Sequence, residues 1–299
     1  MYMRIVISGS SGLIGTVLRS SLVAGGHEVV RLVRRSPSDG EIHWDPRAGT
    51  LDPHSLDGVD AVINLSGAGI GDKRWTREYK QELLDSRLST TALLASTIAT
   101  AERGPRVFLS GSAIGVYGPR DDEQLDESSA IGSGFLADLC RQWEDATGAA
   151  DAAGARVAHL RTGIVLSPAG GALKKQLPLF KFGLGGKFGS GRQWQSWISL
   201  PDEVAAITHL LTADVHGPVN LTAPSPVTNA EFTRTLAAVL HRPAFLPIPS
   251  FGPKLLLGGE LADNLLFTGQ RVLPAMLQRS GFVFGHPTLE TALRSLMGR

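Results

Sequence analysis

A single cysteine, Cys140, stands in a chain of 299 residues. That count excludes an intramolecular disulfide and any cysteine-cluster metal site. Long apolar runs are missing, since none reaches the 18 residues that a membrane-crossing helix needs. An excess of one charge is missing too. The 29 basic and 28 acidic residues leave a formal net charge of +1, which offers no electrostatic footprint for nucleic acid or an acidic membrane surface. The eight histidines are scattered without ligand spacing, so no metal site is expected. No repeat, low-complexity tract or long linker divides the chain, and no signal-like segment opens it. These absences predict a cytoplasmic, soluble protein with neither a nucleic-acid nor a membrane partner.

What is present is apolar sequence, 42% of the chain, sufficient for one large domain or a domain with a smaller lobe. The run Ile5-Val6-Ile7 leads into Gly9-Ser10-Ser11-Gly12-Leu13-Ile14-Gly15 and then into a helical stretch through Leu22. Strand, glycine turn and helix in this order leave the backbone N–H groups of a helix start free for a phosphate. Gly9 permits the turn, Gly12 lets backbone approach a pyrophosphate, and Gly15 lets the helix pack on the strand. The spacing is G-x-x-G-x-x-G, and an ordinary glycine-rich turn is the alternative. Gly9, Ser10, Ser11, Gly12, Leu13 and Ile14 are therefore candidate cofactor contacts.

The second strand, His27 to Val33, ends at Arg34-Arg35-Ser36. An acid there would accept from an adenosine 2′-OH, whereas arginine suits a 2′-phosphate. Val33, Arg34 and Arg35 thus point to NADP(H), against a solvated basic turn, and Arg31 is assigned to a different face of the strand. Ile42 to Pro46 suggests a short strand, with Trp44 either covering an adenine or packed in the core. The buried strand beginning at Asp60 runs into Asn64-Leu65-Ser66 and a small-residue loop, beside the first strand's end, where a dinucleotide crosses such a sheet. A helix over residues 76–101 starts Glu82 and Arg87 from the end nearer that cofactor. Ser112, at the end of the next strand, either polarises a substrate carbonyl or satisfies its own turn.

Further on, residues 157–166 form the next strand. The glycine-rich segment from Pro168 to Gln195, with Lys174, Lys175, Lys187 and Arg192, suggests a loop closing over an anionic substrate, or a ligand-free surface loop. Pro201-Asp202-Glu203 opens a helix with its acids against the dipole. Thr228 to Glu231 starts another with a capping box. Leucines 255–257, 261, 265 and 266 suggest a helix packed on a second lobe.

These segments carry a resemblance: GSSGLIG at 9–15 with Ser8 before it, VINLSGAGI, SRLSTTALL, SGSAIGVYG, LRTGIVL, LGGKFGSGRQWQSWI and GQRVLPAMLQRSGFVFGHPTLETAL. The chain resembles the extended short-chain dehydrogenase/reductase superfamily, in its epimerase-like branch with a short C-terminal domain of unknown function. The resemblance implies an α/β fold, a Rossmann-type doubly wound parallel sheet with a smaller C-terminal α/β substrate lobe. It places residues 1–166, with a return segment near 197–222, in the cofactor domain, and 167–196 with 223–299 in the substrate lobe. It makes Arg161 and Thr162, at the end of the last core strand, further cofactor candidates. It also exposes a departure. Members with chemistry use a Tyr and a Lys four residues later, and here those positions hold Leu136 and Cys140; Arg87 stands where a helix asparagine is expected. Ser112 alone remains of the usual groups, and Tyr117 is either a substitute acid or a packing residue.

Two functions follow. One is an NADP(H)-dependent, epimerase-like oxidoreductase acting on a nucleotide-sugar or another carbonyl metabolite. The other is a catalytically reduced protein that holds NADP(H) as a sensor or structural ligand.

Overall fold

Apolar runs such as Ile5-Val6-Ile7 become central strands because a parallel sheet is covered by helices on both faces. The computed structural model describes residues 2–299. The first part comprises β1 (Arg4–Ser8), α1 (Leu13–Ala24), β2 (Glu28–Val33), β3 (Glu41–His43), β4 (Ala61–Asn64), α2 (Arg77–Thr100) and β5 (Val107–Ala113). It continues through β6 (Gln124–Leu125), α3 (Phe135–Asp145), α4 (Gly148–Ala152) and β7 (Arg156–Thr162). Next come β8 (Ile164–Leu166), α5 (Gly171–Lys181), β9 (Trp194–Gln195), β10 (Trp197–Ser199), α6 (Leu200–Leu210) and β11 (Gly217–Leu221). The chain ends with β12 (Val227–Thr228), α7 (Asn229–Leu240), α8 (Phe251–Leu257), α9 (Gly259–Ala262), β13 (Arg271–Val272), α10 (Ala275–Arg279) and α11 (Leu289–Met297).

Seven strands form one parallel sheet in the order β3-β2-β1-β4-β5-β7-β11. The chain winds outward from β1 to β3, then returns to β4 on the other side, so the winding reverses between β1 and β4. Ligands of open α/β sheets bind at such a switch point. Alternate side chains serve opposite faces. Ile5, Ile7, Ile63 and Leu109 pack with Leu18 and Leu22 of α1 and Ile207 of α6. Val6, Val62 and Phe108 pack with Leu94 and Ile98 of α2 and Ala150 of α4. Trp44 belongs to this second cluster and is buried, so the adenine role is set aside.

Three expectations are corrected by the remaining chain. The strand over 157–166 divides at Gly163. Its N–H donates to Leu221 O in the main sheet, and the next N–H, of Ile164, donates to Ser196 O instead, so β8 leaves the sheet to pair with β10. The segment from Pro168 to Gln195 is not all loop. Leu173, Leu177 and Phe180 recur along one face and bury α5 in a smaller core with Trp197, Phe232, Leu236 and Leu293. Leu255 and Leu256 of α8 lie exposed at 77% and 72%, so that helix does not bury its leucines on the lobe.

Several helix starts carry side-chain caps. Thr76 accepts from Tyr79 N at the start of α2, and Thr228 with Glu231 forms a complete capping box on α7. At α6 the cap is Ser199, accepting from Asp202 N. The acids of that turn look elsewhere. Asp202 accepts from Gly285 N and His286 N, pinning the C-terminal segment, and Glu203 is fully buried. No helix among the described residues is long and apolar enough to cross a membrane.

Candidate functional site

The site begins where β1 turns into α1. Gly9 has φ +68°, and Gly12 N donates to Gly9 O at 3.0 Å. Gly12 precedes α1 without any side-chain cap, leaving first-turn N–H groups uncommitted to a side chain. A Cβ on Gly9 would lie 2.5 Å from the Leu65 carbonyl, and one on Gly15 would lie 2.4 Å from Gly9 O. Those two glycines are required by the protein's own packing. A Cβ on Gly12 would meet only Gly9 O, at 3.3 Å, and otherwise enter open space. Gly12 therefore keeps clear a space outside the protein, which fits a dinucleotide pyrophosphate on a helix start.

That space belongs to a cavity of about 560 Å³ lined by the loop, the ends of β5 and β7, α3 and the lobe. Leu13, Ile14 and Leu65 line it, as do Ser112, Arg87 and Thr162. Leu136 and Cys140 stand on its wall, with Leu139 and Trp143 beside them. Burial pushes the Cys140 thiol up to about 12, so it stays protonated and inert. Arg87 is a half-buried cation with no carboxylate partner among the described residues. Its Nη atoms donate to Leu83 O and Ala68 O, its Nε has no partner, and its guanidinium lies 5.0 Å over the Trp143 ring. Desolvation lowers its pKa.

Behind the cavity wall runs a closed polar chain. Ser112 Oγ donates to Glu144 Oε1 at 2.6 Å. Arg161 grips the same carboxylate through Nε at 2.8 Å and Nη2 at 2.9 Å, and its Nη1 donates to the Tyr117 hydroxyl at 3.0 Å. Tyr117 in turn donates to Asn220 Oδ1 at 2.7 Å. Burial works to raise the Glu144 carboxyl, but the Arg161 guanidinium outweighs it and holds the group below its ordinary value. Two expected roles are corrected here. Tyr117 is fully buried with its proton committed to Asn220 and its pKa raised by burial, so it is a packing residue and no substitute acid. Arg161 is 4% exposed with its donors spent on Glu144 and Tyr117, so it does not reach a cofactor.

Other expected contacts are sorted in the same way. Asn64 has no exposed surface; its Oδ1 accepts from Ser8 Oγ and Ser66 N while its Nδ2 donates to Thr91, so it clamps the loop rather than touching a ligand. Glu82 pairs with Lys73 at 3.0 Å, outside the cavity lining. Val33 is buried at the end of β2. Ser10 is buried and Ser11 exposed on the loop. Arg34 is exposed at the end of β2, whereas Arg35 is engaged by Glu41 of β3. Arg31 is not turned away from the site: its Nε donates to Ser10 Oγ at 3.2 Å. Lys175 and Lys187 bond to backbone carbonyls of Gly71 and Ser190, and none of Lys174, Lys175, Lys181, Lys187 and Arg192 in the glycine-rich segment lines the cavity.

Thr162 Oγ1 donates to Glu203 Oε1 at 2.9 Å, and burial pushes the Glu203 carboxyl up to about 8. Sequence reasoning missed Glu203 as a buried acid because an acid after proline at a helix start is ordinarily a dipole partner. It also missed the lobe's contribution of Trp194, Gln195 and Gln270. The Gln195 Oε1 is buried without a partner, a free acceptor in the wall. Among the described residues no cluster of His, Cys, Asp and Glu could hold a metal ion.

Comparison with known proteins agrees with this geometry. Residues 5–222 match the NAD dependent epimerase/dehydratase family, and residues 248–296 match a domain of unknown function, DUF1731. An epimerase family protein of Mycobacterium tuberculosis is 48% identical over 291 residues, spanning 97% of this chain and 96% of its own length. The crystal structure of the human epimerase family protein SDR39U1 with NADPH superposes with a TM-score of 0.91 at 37% identity, covering 99% of this chain and all of that one. A structure described as the nucleoside-diphosphate sugar epimerase from Corynebacterium glutamicum gives 0.81 at 36% identity, covering all of this chain and 59% of that one.

Proposed function

This chain belongs to the NAD dependent epimerase/dehydratase family, and from that premise we propose that it binds NADP(H) at the β1/β4 switch point and acts as an epimerase-like oxidoreductase on a small carbonyl or hydroxyl metabolite. The carrying observation is the uncapped start of α1, opened by Gly12 into the cavity. Bound there, the dinucleotide supplies or takes a hydride at its nicotinamide. Gly9 through Ile14 hold its pyrophosphate, Arg34 its 2′-phosphate, and Arg87 a ribose or phosphate oxygen. Ser112 is the one conventional polar group on the cavity wall, kept in place by Glu144 and Arg161; with its single proton given to Glu144, its hydroxyl presents lone pairs to the cavity and accepts from a substrate hydroxyl. Residues 167–196 and 223–299 supply the substrate side. A nucleotide-sugar enters the candidate class through the likeness to the Corynebacterium glutamicum protein. Among the described residues Arg87 is the one Lys or Arg lining the cavity, so such a substrate's diphosphate would find no second cation there.

Calorimetric titration should show NADPH binding more tightly than NADH. Arg34→Ala should weaken NADPH about tenfold, in keeping with one lost charge-assisted contact, and leave NADH nearly unchanged. Equal affinities of the wild-type protein for both would overturn the assignment.

A second reading, a binding protein without turnover, is favoured by Leu136 and Cys140 on the wall and by the sequestered Tyr117. Oxidation of NADPH by any member of a carbonyl-metabolite panel would reject it.

A further inference from the structure

The basic turn after β2 already holds an anion, and that anion belongs to the chain. Glu41, the first residue of β3, points its carboxylate between two guanidinium groups. Oε1 accepts from Arg35 Nη2 at 2.7 Å and lies 3.2 Å from Arg31 Nη1; Oε2 accepts from Arg35 Nη1 at 2.7 Å and from Ser38 N at 2.9 Å. Arg35 and Glu41 thus meet fork to fork, the arrangement in which a guanidinium also binds a phosphate. Arg31 is the bridge from this cradle to the glycine loop, because its Nε donates to Ser10 Oγ. The Arg35 guanidinium and the Ser38 N–H hold the Glu41 carboxyl below its ordinary value. Arg19 and Asp39 line the surface depression that Arg31 and Glu41 share.

We propose that Glu41 is a built-in occupant of the 2′-phosphate cradle and sets the selectivity between NADP(H) and NAD(H). This rests on the reading that a dinucleotide lies along the Gly9–Gly15 loop. A 2′-phosphate arriving at Arg31 and Arg35 meets a carboxylate that already uses both donors of the Arg35 fork. The phosphate must displace that carboxylate or share the cradle against its charge, whereas the exposed Arg34 can receive it without exchange. An unphosphorylated adenosine ribose needs no exchange. Glu41 therefore lowers affinity for the phosphorylated cofactor alone and narrows the preference that the three arginines would otherwise give.

The test is calorimetric titration of the full chain with NADPH and NADH, comparing wild type with Glu41→Gln, which keeps shape and removes charge. The dissociation constant for NADPH should fall about five- to tenfold, as expected when a like charge is removed beside a charge-assisted contact, while that for NADH stays within about twofold. Should the β2–β3 edge of Glu41→Gln fail to fold by circular dichroism, a wild-type comparison decides: 2′,5′-ADP should then bind no more than about tenfold tighter than 5′-AMP, because the cradle is occupied. An unchanged or weakened NADPH affinity in Glu41→Gln, or a preference for 2′,5′-ADP well beyond tenfold, overturns the proposal; the first result would mean that Glu41 orders the arginines. A wild-type protein that binds neither dinucleotide would instead refute the underlying cofactor reading.

Discussion

Ser112 Oγ lies 2.6 Å from Glu144 Oε1 and donates its proton to that carboxylate, which Arg161 holds from the other side through two N–H groups. The Ser112 hydroxyl on the cavity wall is thus fixed by a buried ion pair joining the end of β5 to α3 and β7. The same pair explains why Tyr117 is unavailable: the third free edge of the Arg161 guanidinium is spent on it.

Breaking that pair should be costly. Arg161→Met leaves Glu144 charged and buried, and chemical denaturation should show a loss of roughly 3–5 kcal/mol. Because the folded carboxyl is held below its unfolded value, the pair's contribution is present above the unfolded value and lost as pH falls through the folded one. Glu144→Gln should accordingly flatten the acid limb of the wild-type stability profile, and an unchanged limb would show that another acid governs it.

Glu203 has the opposite sign. Its folded pKa, raised to about 8 by burial, lies above its unfolded value, so the folded state retains a proton that the unfolded state releases. Stability is therefore lost as pH rises from the ordinary carboxylate range toward about 8, and the loss levels off above that value. Glu203→Gln keeps an acceptor for Thr162 Oγ1 and removes the penalty. It should stabilise the protein by ~1 kcal/mol or more at pH 8 and by less at pH 5, measured by urea denaturation at both. Equal shifts at the two pH values would contradict the assignment.

Gly12→Val should fold, since a Cβ there meets only Gly9 O, yet fill the space kept for a pyrophosphate. Thermal melts with and without NADPH separate the two effects: the wild type should gain stability from NADPH by mass action, and the variant should not. A variant that still gained it would move the phosphate site away from this loop.

Arg87 is a half-buried guanidinium without a counter-ion, and replacing it by a shape-compatible apolar side chain removes a partly desolvated charge. Arg87→Met should raise the melting temperature of the ligand-free protein or leave it unchanged, while weakening NADPH about tenfold through the lost charge-assisted contact. Lower stability with intact NADPH affinity would make Arg87 a packing residue.

The local sequence determined the parts that depend on near neighbours. Strand, glycine turn and helix at residues 5–22 and the cap box at Thr228 and Glu231 are set by spacings of a few residues, which fix backbone geometry directly. Tertiary structure alone decided which polar side chains face the ligand. Arg161 and Asn64 carry the right chemistry at strand ends but are consumed by Glu144, Ser8 and Thr91. Arg31 reaches the phosphate loop because its long side chain bridges to Ser10, and Glu41 fills the arginine cradle because β3 aligns beside β2. A buried polar group must find a partner wherever the fold brings one close. Those partners stand up to 56 residues away along the chain for Ser8 and Asn64 and 103 for Tyr117 and Asn220, a separation over which spacing in the sequence carries no geometric information.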